Sequence, residues 1–366
     1  VMFCAERLKV ARHRKKLTGK QLAEAAGLTD VTVSKAENGH QPDDATVDKL
    51  AEALGYPRAF FFMDSPEVLE PRAVSFRSLK KMKAAERNAS LAAGSNGIAL
   101  YQWISARFDL PAPDLIDLSR EQARPEVAAR LLRQHWGLGD RPVGNILRLF
   151  ESKGIRVLSL SENTHNVDAY SFWHADYPYI FLNQKKTAER SNFDAAHELG
   201  HLVLHFHAQA ESLPEDDAER QANMFASAFL MPDADLKSVL SSIYSSSQII
   251  KTKVRWKVSA LALANRLHHI GMLSDWNYRS IVIDLGQRGF RTGEPLGVER
   301  ETSTLLPKVF AALWGKGITR GDIANDLNLP WDEVEMLVFG LTGSTPSRPQ
   351  RPSLSLVGTR AELDDG

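Results

Sequence analysis

Cysteine is almost missing from this chain of 366 residues: Cys4 stands alone, so no internal disulfide can staple the fold. That poverty points to a reducing compartment, and a cytoplasmic location is expected. Long apolar runs are missing as well. No stretch of 18 or more apolar residues occurs, which excludes a membrane-spanning helix. The opening VMFCAERLKVARHRKK turns charged before an apolar core of signal-peptide length can form. Net charge is zero, with 45 Lys+Arg against 45 Asp+Glu, which argues against a protein that coats nucleic acid along its whole length. No internal repeat is visible. What remains is ordinary globular composition, 43% hydrophobic and 25% charged, on a chain long enough for two or three domains of about 150 residues.

The charge that cancels overall is uneven locally. Residues 1–20 hold seven basic side chains against Glu6 alone, and residues 71–90 hold six against Glu86 alone. The stretch 211–219 is acidic, with Glu211, Glu215, Asp216, Asp217 and Glu219. A basic front end is a cue for nucleic acid.

Apolar residues at helical spacing predict four or five short helices over 5–62, broken at Thr18-Gly19, at 27–30 and at 38–42. Thr29 or Asp30 is the natural N-cap of the third helix. Pro66 and Pro71 mark a linker over 64–78. A helix is expected at about 79–93, a break at Gly94-Ser95-Asn96-Gly97, and another helix over 97–108. Helices at 125–136 and 142–153 precede short strands at 155–160, 169–173 and 179–182. Helix 187–206, an acidic loop and helix 216–230 follow. The chain is then mostly helical to about 340, and the Ser/Pro-rich tail from Ser344 is expected to be disordered.

Three short helices with a tight turn between the second and third form a helix-turn-helix plan, whose last helix must present polar groups to base edges. The stretch QLAEAAGLTDVTVSKAENG resembles the XRE/Cro-type helix-turn-helix family. The resemblance covers 5–62 and rests on Arg7, Arg12, Gln21-Leu22-Ala23, Gly27, Val33-Ser34-Lys35, Glu37-Asn38-Gly39 and Pro42. It implies that helix 30–36 reads DNA, with Asp30, Thr32, Ser34 and Lys35 facing the groove and Gln21 near phosphate or base. Val31, Val33 and Ala36 are expected to pack inward or meet thymine methyls. Arg12 and Arg14, on the basic first helix, are expected at phosphates.

The second signal is His197-Glu198-Leu199-Gly200-His201. Residues i and i+4 share a helix face, so both imidazoles can reach one metal ion, and Glu198 stands beside the open coordination position as a general base. A catalytic zinc needs a third protein ligand. The helix 216–230 returns Glu219 towards the histidines, eighteen residues after His201; Asp216 and Asp217 are the alternatives, more suited to capping. Asn223, one turn past Glu219, suits orienting that carboxylate. His205 continues the histidine face, as a helper behind the ligands or as a structural residue, and His207 is expected to face solvent. The strand 179–182 is a core strand or a place for an extended peptide to add on.

These helices, with Tyr179-Ile180, Leu182-Asn183, Arg190, Phe193, Leu204-His205 and the run from Glu219 to Met231-Pro232, resemble the ImmA/IrrE family of metallopeptidases over 125–235. The resemblance implies one Zn²⁺ per chain held by His197, His201 and Glu219, with Glu198 as acid and base. Segments around Lys253-Val254-Arg255-Trp256 and Gly289-Phe290-Arg291 also occur in longer members, implying an extension packed on the peptidase. Residues 317–334 weakly resemble a second helix-turn-helix; a plain helical subdomain is the competing reading. Trp256, Trp276 and Trp314 are expected to anchor the core.

The expected fold is mainly α with a small β-sheet. A five-helix helix-turn-helix domain (1–65) and a connector (66–124) precede an α+β zincin-like domain (125–235). A helical extension (236–345) and a tail (346–366) complete the chain. The two resemblances imply a cytoplasmic, nucleoid-associated homodimer on a double-stranded DNA operator, without a membrane partner. They imply proteolysis of a helix-turn-helix repressor in a stress-, phage- or mobile-element-linked response. The alternative is a repressor or antitoxin-like DNA-binding protein whose metallo-domain senses or docks without cutting.

Overall fold

The computed structural model describes residues 2–69, 83–160, 168–205, 214–240, 242 and 245–342. The rest of the basic 71–90 segment before Lys83, Glu211, His207 and the Ser/Pro-rich tail lie outside the described residues.

The N-terminal unit comprises α1 (Ala5–Arg14), α2 (Gly19–Ala26), α3 (Asp30–Glu37) and α4 (Asp44–Leu54), closed by a 3-10 turn at Arg58–Phe62. Each boundary has a local cause. Thr18, Thr29 and Asp43 cap α2, α3 and α4, each accepting a bond from the backbone three residues on, and Gly27 and Gly55 end α2 and α4 in the left-handed region. Leu8, Ala11, Leu22, Val33, Val47 and Leu50 are fully buried in the unit's core, which also takes in Ala92 and Leu329 from far along the chain. The unit therefore sits on the rest of the molecule.

The second body is built on a three-stranded sheet in the order β1 (Arg156–Leu160), β3 (Tyr177–Asn183), β2 (Ala169–His174), with β1 parallel and β2 antiparallel to β3. Strand 179–182 is thus central and paired on both sides, so it cannot accept an added peptide. That corrects the strand-addition reading, because sequence shows a strand but not its neighbours. Side chains alternate across the sheet. Tyr170, Phe172, Tyr179 and Phe181 stack on one face, with centroids 4.7 Å (Tyr170–Phe181) and 5.1 Å (Phe172–Tyr179) apart. Ser171 and Trp173 bond to the helix on the other face, α8 (Ala188–Leu204).

Against the aromatic face lies α5 (Ala84–Ser105), a single helix that runs straight through Gly94-Ser95-Asn96-Gly97. The expected break is absent. These small residues are there for close approach: a Cβ on Gly94 would stand 2.2 Å from Leu69 Cδ1, and one on Gly97 2.4 Å from Leu158 Cδ1 and 2.8 Å from Phe181 Cζ. Gly97→Ala should therefore cost about 1–3 kcal/mol through overpacking, despite alanine's better helix propensity. A denaturation midpoint equal to or above wild type would show that the contact is slack.

The helices α6 (Pro125–His135) and α7 (Ile146–Ser152) lead into β1, and α9 (Glu215–Leu230) packs on α8 and α6. The extension supplies α10 (Asp233–Val239), α11 (Ser246–Thr252), α12 (Ala260–His269), α13 (Asp275–Gln287), α14 (Leu305–Trp314), α15 (Arg320–Asp326) and α16 (Trp331–Val338). It is stapled to the sheet body by buried charge. The Lys253 ammonium, fully enclosed, contacts Glu189 at 2.8 Å and Glu294 at 3.0 Å, joining the two extension segments singled out in the sequence to the first turn of α8. Trp256 is buried, but Trp276 and Trp314 are 77% and 57% exposed and are not core anchors, contrary to expectation. Helical spacing places them on their helices without fixing which face finds a partner. No helix among the described residues is long and apolar enough to cross a membrane.

Candidate metal centre and DNA-reading surface

Thr187 caps α8, and the helix carries His197 and His201 one turn apart, their ring centroids 4.7 Å from each other. Gly200 lets α9 come close: a Cβ there would stand 3.1 Å from Phe225 Cδ1 and 3.3 Å from Ala222 Cα. That approach brings Glu219 to the imidazoles. His197 Nε2 and His201 Nε2 are 3.0 Å apart, and the Glu219 carboxylate oxygens stand 3.6 Å from His197 Nε2 and 3.4 Å from His201 Nε2. Tetrahedral bonds of about 2.1 Å separate ligand atoms by about 3.4 Å, so these three atoms have the spacing of one zinc coordination face. Among the described residues this is the only His/Cys/Asp/Glu cluster that meets so closely.

The hydrogen bonds behind the cluster set its tautomers. His197 Nδ1 lies 3.1 Å from Asn223 Oδ1, an acceptor, so Nδ1 carries the proton and Nε2 a bare lone pair. His205 Nε2 donates to Gln221 Oε1 at 3.0 Å, leaving its Nδ1 to accept from His201 Nδ1 at 3.1 Å. His201 Nε2 is then bare as well. Two lone pairs and a carboxylate converge with no proton between them, a donor set that suits a cation. Asn223 thus orients a histidine, whereas sequence paired it with the Glu219 carboxylate. Gln221 was missed altogether, since its role depends on His205 lying across the helix interface. Asp216 and Asp217 lie in the first turn of α9 after Pro214; they neither cap it nor join the cluster.

Glu198 is 1% exposed and points to the sheet, where its Oε2 accepts a bond from Ser171 Oγ at 2.6 Å. Ser171 was likewise invisible in sequence, being one small polar residue in an otherwise aromatic strand.

Burial holds both ligand-type histidines neutral. It pushes the His197 imidazole down to about 3, with His201 adding to the effect, and the His201 imidazole to about 3, with His205 adding. An unfolded imidazole titrates near 6.5. Stability of the metal-free protein is therefore complete above about pH 6.5 and falls towards pH 3, as the unfolded chain binds two protons that the folded chain refuses. The slope should reach up to about 2.7 kcal/mol per pH unit. Urea midpoints of metal-free protein at pH 7.5, 6 and 5 measure it, and His197→Ala should roughly halve the slope. An unchanged slope would assign the acid sensitivity to other groups.

On the N-terminal unit, α3 leaves Asp30, Ser34 and Lys35 exposed, with Val31 62% exposed, while Val33 and Ala36 pack inward. Thr32 is half-buried, its hydroxyl 2.8 Å from that of the cap Thr29. Gln21 is exposed but its side-chain carbonyl accepts from Thr18 N at 2.9 Å in a capping box. The two arginines assigned to phosphate are placed otherwise. Arg12 holds Glu37 at 2.5 and 3.1 Å and also donates to Leu17 O. Arg14 is buried, continuing the Ala11 face of α1, and holds Glu333. Arg7 donates to Asp64 O. Within the basic stretch 1–20, Lys15 and Lys20 are the exposed cations.

Comparison with known proteins finds two family models that match separate stretches of the chain. Residues 8–61 match the helix-turn-helix family model, and residues 150–268 match that of the IrrE N-terminal-like domain, a peptidase family. The second match takes in the three strands, α8 and α9, and runs on through α10, α11 and most of α12. Over 87 residues the chain is 34% identical to the HTH-type transcriptional repressor RghR of Bacillus subtilis (strain 168). That alignment covers 22% of this chain and 64% of the repressor, just under two thirds of the relative's length.

Proposed function

We propose that this chain, which joins a helix-turn-helix DNA-binding domain to an IrrE-like metallopeptidase-family domain, is a transcriptional regulator that holds one zinc ion and cuts a helix-turn-helix repressor. The observation that carries the enzymatic half is the convergence of the His197 and His201 Nε2 atoms and the Glu219 carboxylate, on a helix that also carries the buried Glu198. A zinc ion bound there would polarise a peptide carbonyl and acidify a water molecule.

The chain's own groups do the rest. His197, His201 and Glu219 bind the ion. Asn223 fixes one imidazole, and His205 with Gln221 fixes the other. Glu198 takes a proton from the attacking water and delivers it to the departing amide nitrogen, so that one C–N bond breaks, one C–O bond forms and water is the sole co-reactant. Ser171 holds the Glu198 carboxylate in place. The helix-turn-helix match over 8–61 and the likeness of an 87-residue stretch to a repressor support a substrate found at the same DNA sites. Residues 1–65 are the proposed DNA-binding domain and 125–235 the peptidase domain. Residues 66–124 form the connector, 236–345 the extension and 346–366 the tail. The proposed setting is cytoplasmic and nucleoid-associated. Incubating the zinc-loaded chain with helix-turn-helix repressors and sequencing new N-termini tests the substrate; intact repressors throughout would refute it.

The DNA half has its own test. As a homodimer on a near-palindromic operator, the chain would read bases with Asp30, Ser34 and Lys35 and touch phosphate with Lys15 and Lys20. Ser34→Ala and Lys35→Ala should each lose about 1–3 kcal/mol on the preferred duplex and little on a scrambled one. Lys15→Ala should weaken both alike and flatten the salt dependence by about 0.9 per lost contact. Anisotropy titrations at several salt concentrations separate the two kinds, and equal losses on both duplexes for Ser34 and Lys35 would remove α3 from the groove.

A further inference from the structure

The last three helices repeat the first three. At a constant offset of 301 residues, the backbone bonds recur one by one. Leu17 N donates to Arg12 O, and Ile318 N to Leu313 O; Lys16 N donates to His13 O, and Gly317 N to Trp314 O. Thr18 closes a capping box with Gln21, and Thr319 closes one with Asp322. Leu28 N donates to Ala23 O, and Leu329 N to Ala324 O. Two left-handed positions also coincide, Lys16 (φ 57°) with Gly317 (φ 74°) and Gly27 (φ 61°) with Asn328 (φ 51°). Two left-handed turn positions in register, each with the same flanking backbone bonds, mark one backbone plan. The buried positions agree too: Leu8 with Val309, Leu22 with Ile323, Ala23 with Ala324, Val33 with Val334, Ala36 with Leu337.

The chemistry is reversed. Residues 305–338 hold five acidic side chains (Asp322, Asp326, Asp332, Glu333, Glu335) against Lys308, Lys316 and Arg320. Where α3 shows Ser34 and Lys35, α16 has Glu335 and Met336, and Arg320 is engaged with Glu335 at 2.5 Å. The end that enters the groove in a DNA reader is partly covered: Trp331 stays 71% exposed, but the turn before it is seated. Leu329 belongs to the core of the N-terminal unit, and Asn328 Nδ2 lies 3.4 Å from Met63 Sδ. Glu333, in the place of Thr32, binds Arg14 at 2.7 and 3.2 Å and Asn96 Nδ2 at 2.9 Å. Both ends of that ion pair are under 5% exposed.

We propose that residues 305–338 are a second helix-turn-helix, converted from reading DNA to seating the first. Its partner is residues 2–63 of the same chain, held on α5 and, through α16, on β1. Each chain then reads DNA through α3 alone, from a fixed position relative to the metal centre.

Hydrogen exchange on the full chain tests the seat without any DNA, so its outcome is independent of the reading proposed for α3. Glu333→Gln keeps the side-chain shape but takes the counter-charge from Arg14. It should speed amide exchange over 5–14 by about tenfold or more, while α8 and α9 exchange as in wild type. Leu329→Ala removes an apolar contact without stranding a charge and should act in the same direction. Unchanged exchange over 5–14 in either folded variant overturns the proposal. In titrations, Trp331→Ala with Asp332→Asn should leave sequence preference and salt dependence as in wild type. A loss of preference there would make the second unit a DNA reader instead.

Discussion

Glu198→Gln should leave zinc content and melting temperature close to wild type and lower the rate of repressor cleavage by at least about 10²–10⁴-fold, the range assigned to general acid–base catalysis. The reasoning is local. Glutamine is nearly isosteric, and its amide oxygen can still accept the 2.6 Å bond from Ser171 Oγ. It has no carboxylate to take a proton from water, and it is not one of the three residues, His197, His201 and Glu219, whose donor atoms meet. Ser171→Ala gives the graded counterpart. The carboxylate remains but loses its tether, so cleavage should fall less than in Glu198→Gln. New N-termini appearing at the wild-type rate with Glu198→Gln would remove Glu198 from the chemistry. A large loss of zinc would instead show that the residue supports the ligand helix.

The parts of the molecule legible in sequence are those whose causes are local. Thr18, Thr29 and Gly27 announce the helix ends of the N-terminal unit because a cap or a left-handed turn is satisfied within a few residues. His197 and His201 announce a shared face because four residues make one turn. The misplacements all depend on distant neighbours. Gly94 and Gly97 suggest a break until the partner is seen to be Leu69 or the sheet, where only a missing Cβ allows contact. Arg14 suggests phosphate until its counter-charge appears 319 residues later. The tether of Glu198 and the His205–Gln221 relay join elements whose packing no spacing reveals. The proposed second helix-turn-helix shows only faintly in the sequence, over 317–334, for a different reason. Its backbone plan is fixed by caps, left-handed turns and buried apolar positions, which many residues satisfy, so the structure repeats where the sequence scarcely does.

His197→Ala should reduce zinc from about one ion per chain to a small fraction, because a two-ligand remnant forfeits one of three protein bonds to a four-coordinate ion. The remnant is also poorly arranged. With His197 gone, Asn223 loses its 3.1 Å partner, while His201 keeps the His205–Gln221 relay and Glu219 stays on α9. His201→Ala should go further, since it also strands His205 Nδ1 at the helix interface. Asn223→Ala and Gln221→Ala leave all three ligands in place and should weaken zinc binding by about 10–100-fold without abolishing it, as for other groups that orient a liganding histidine. Atomic absorption on purified, dialysed protein measures the stoichiometry, and competition with a chelator measures the affinity. Equal zinc in wild type and His197→Ala would move the metal elsewhere. Full affinity in Asn223→Ala and Gln221→Ala would show that the helix backbone alone aims the imidazoles.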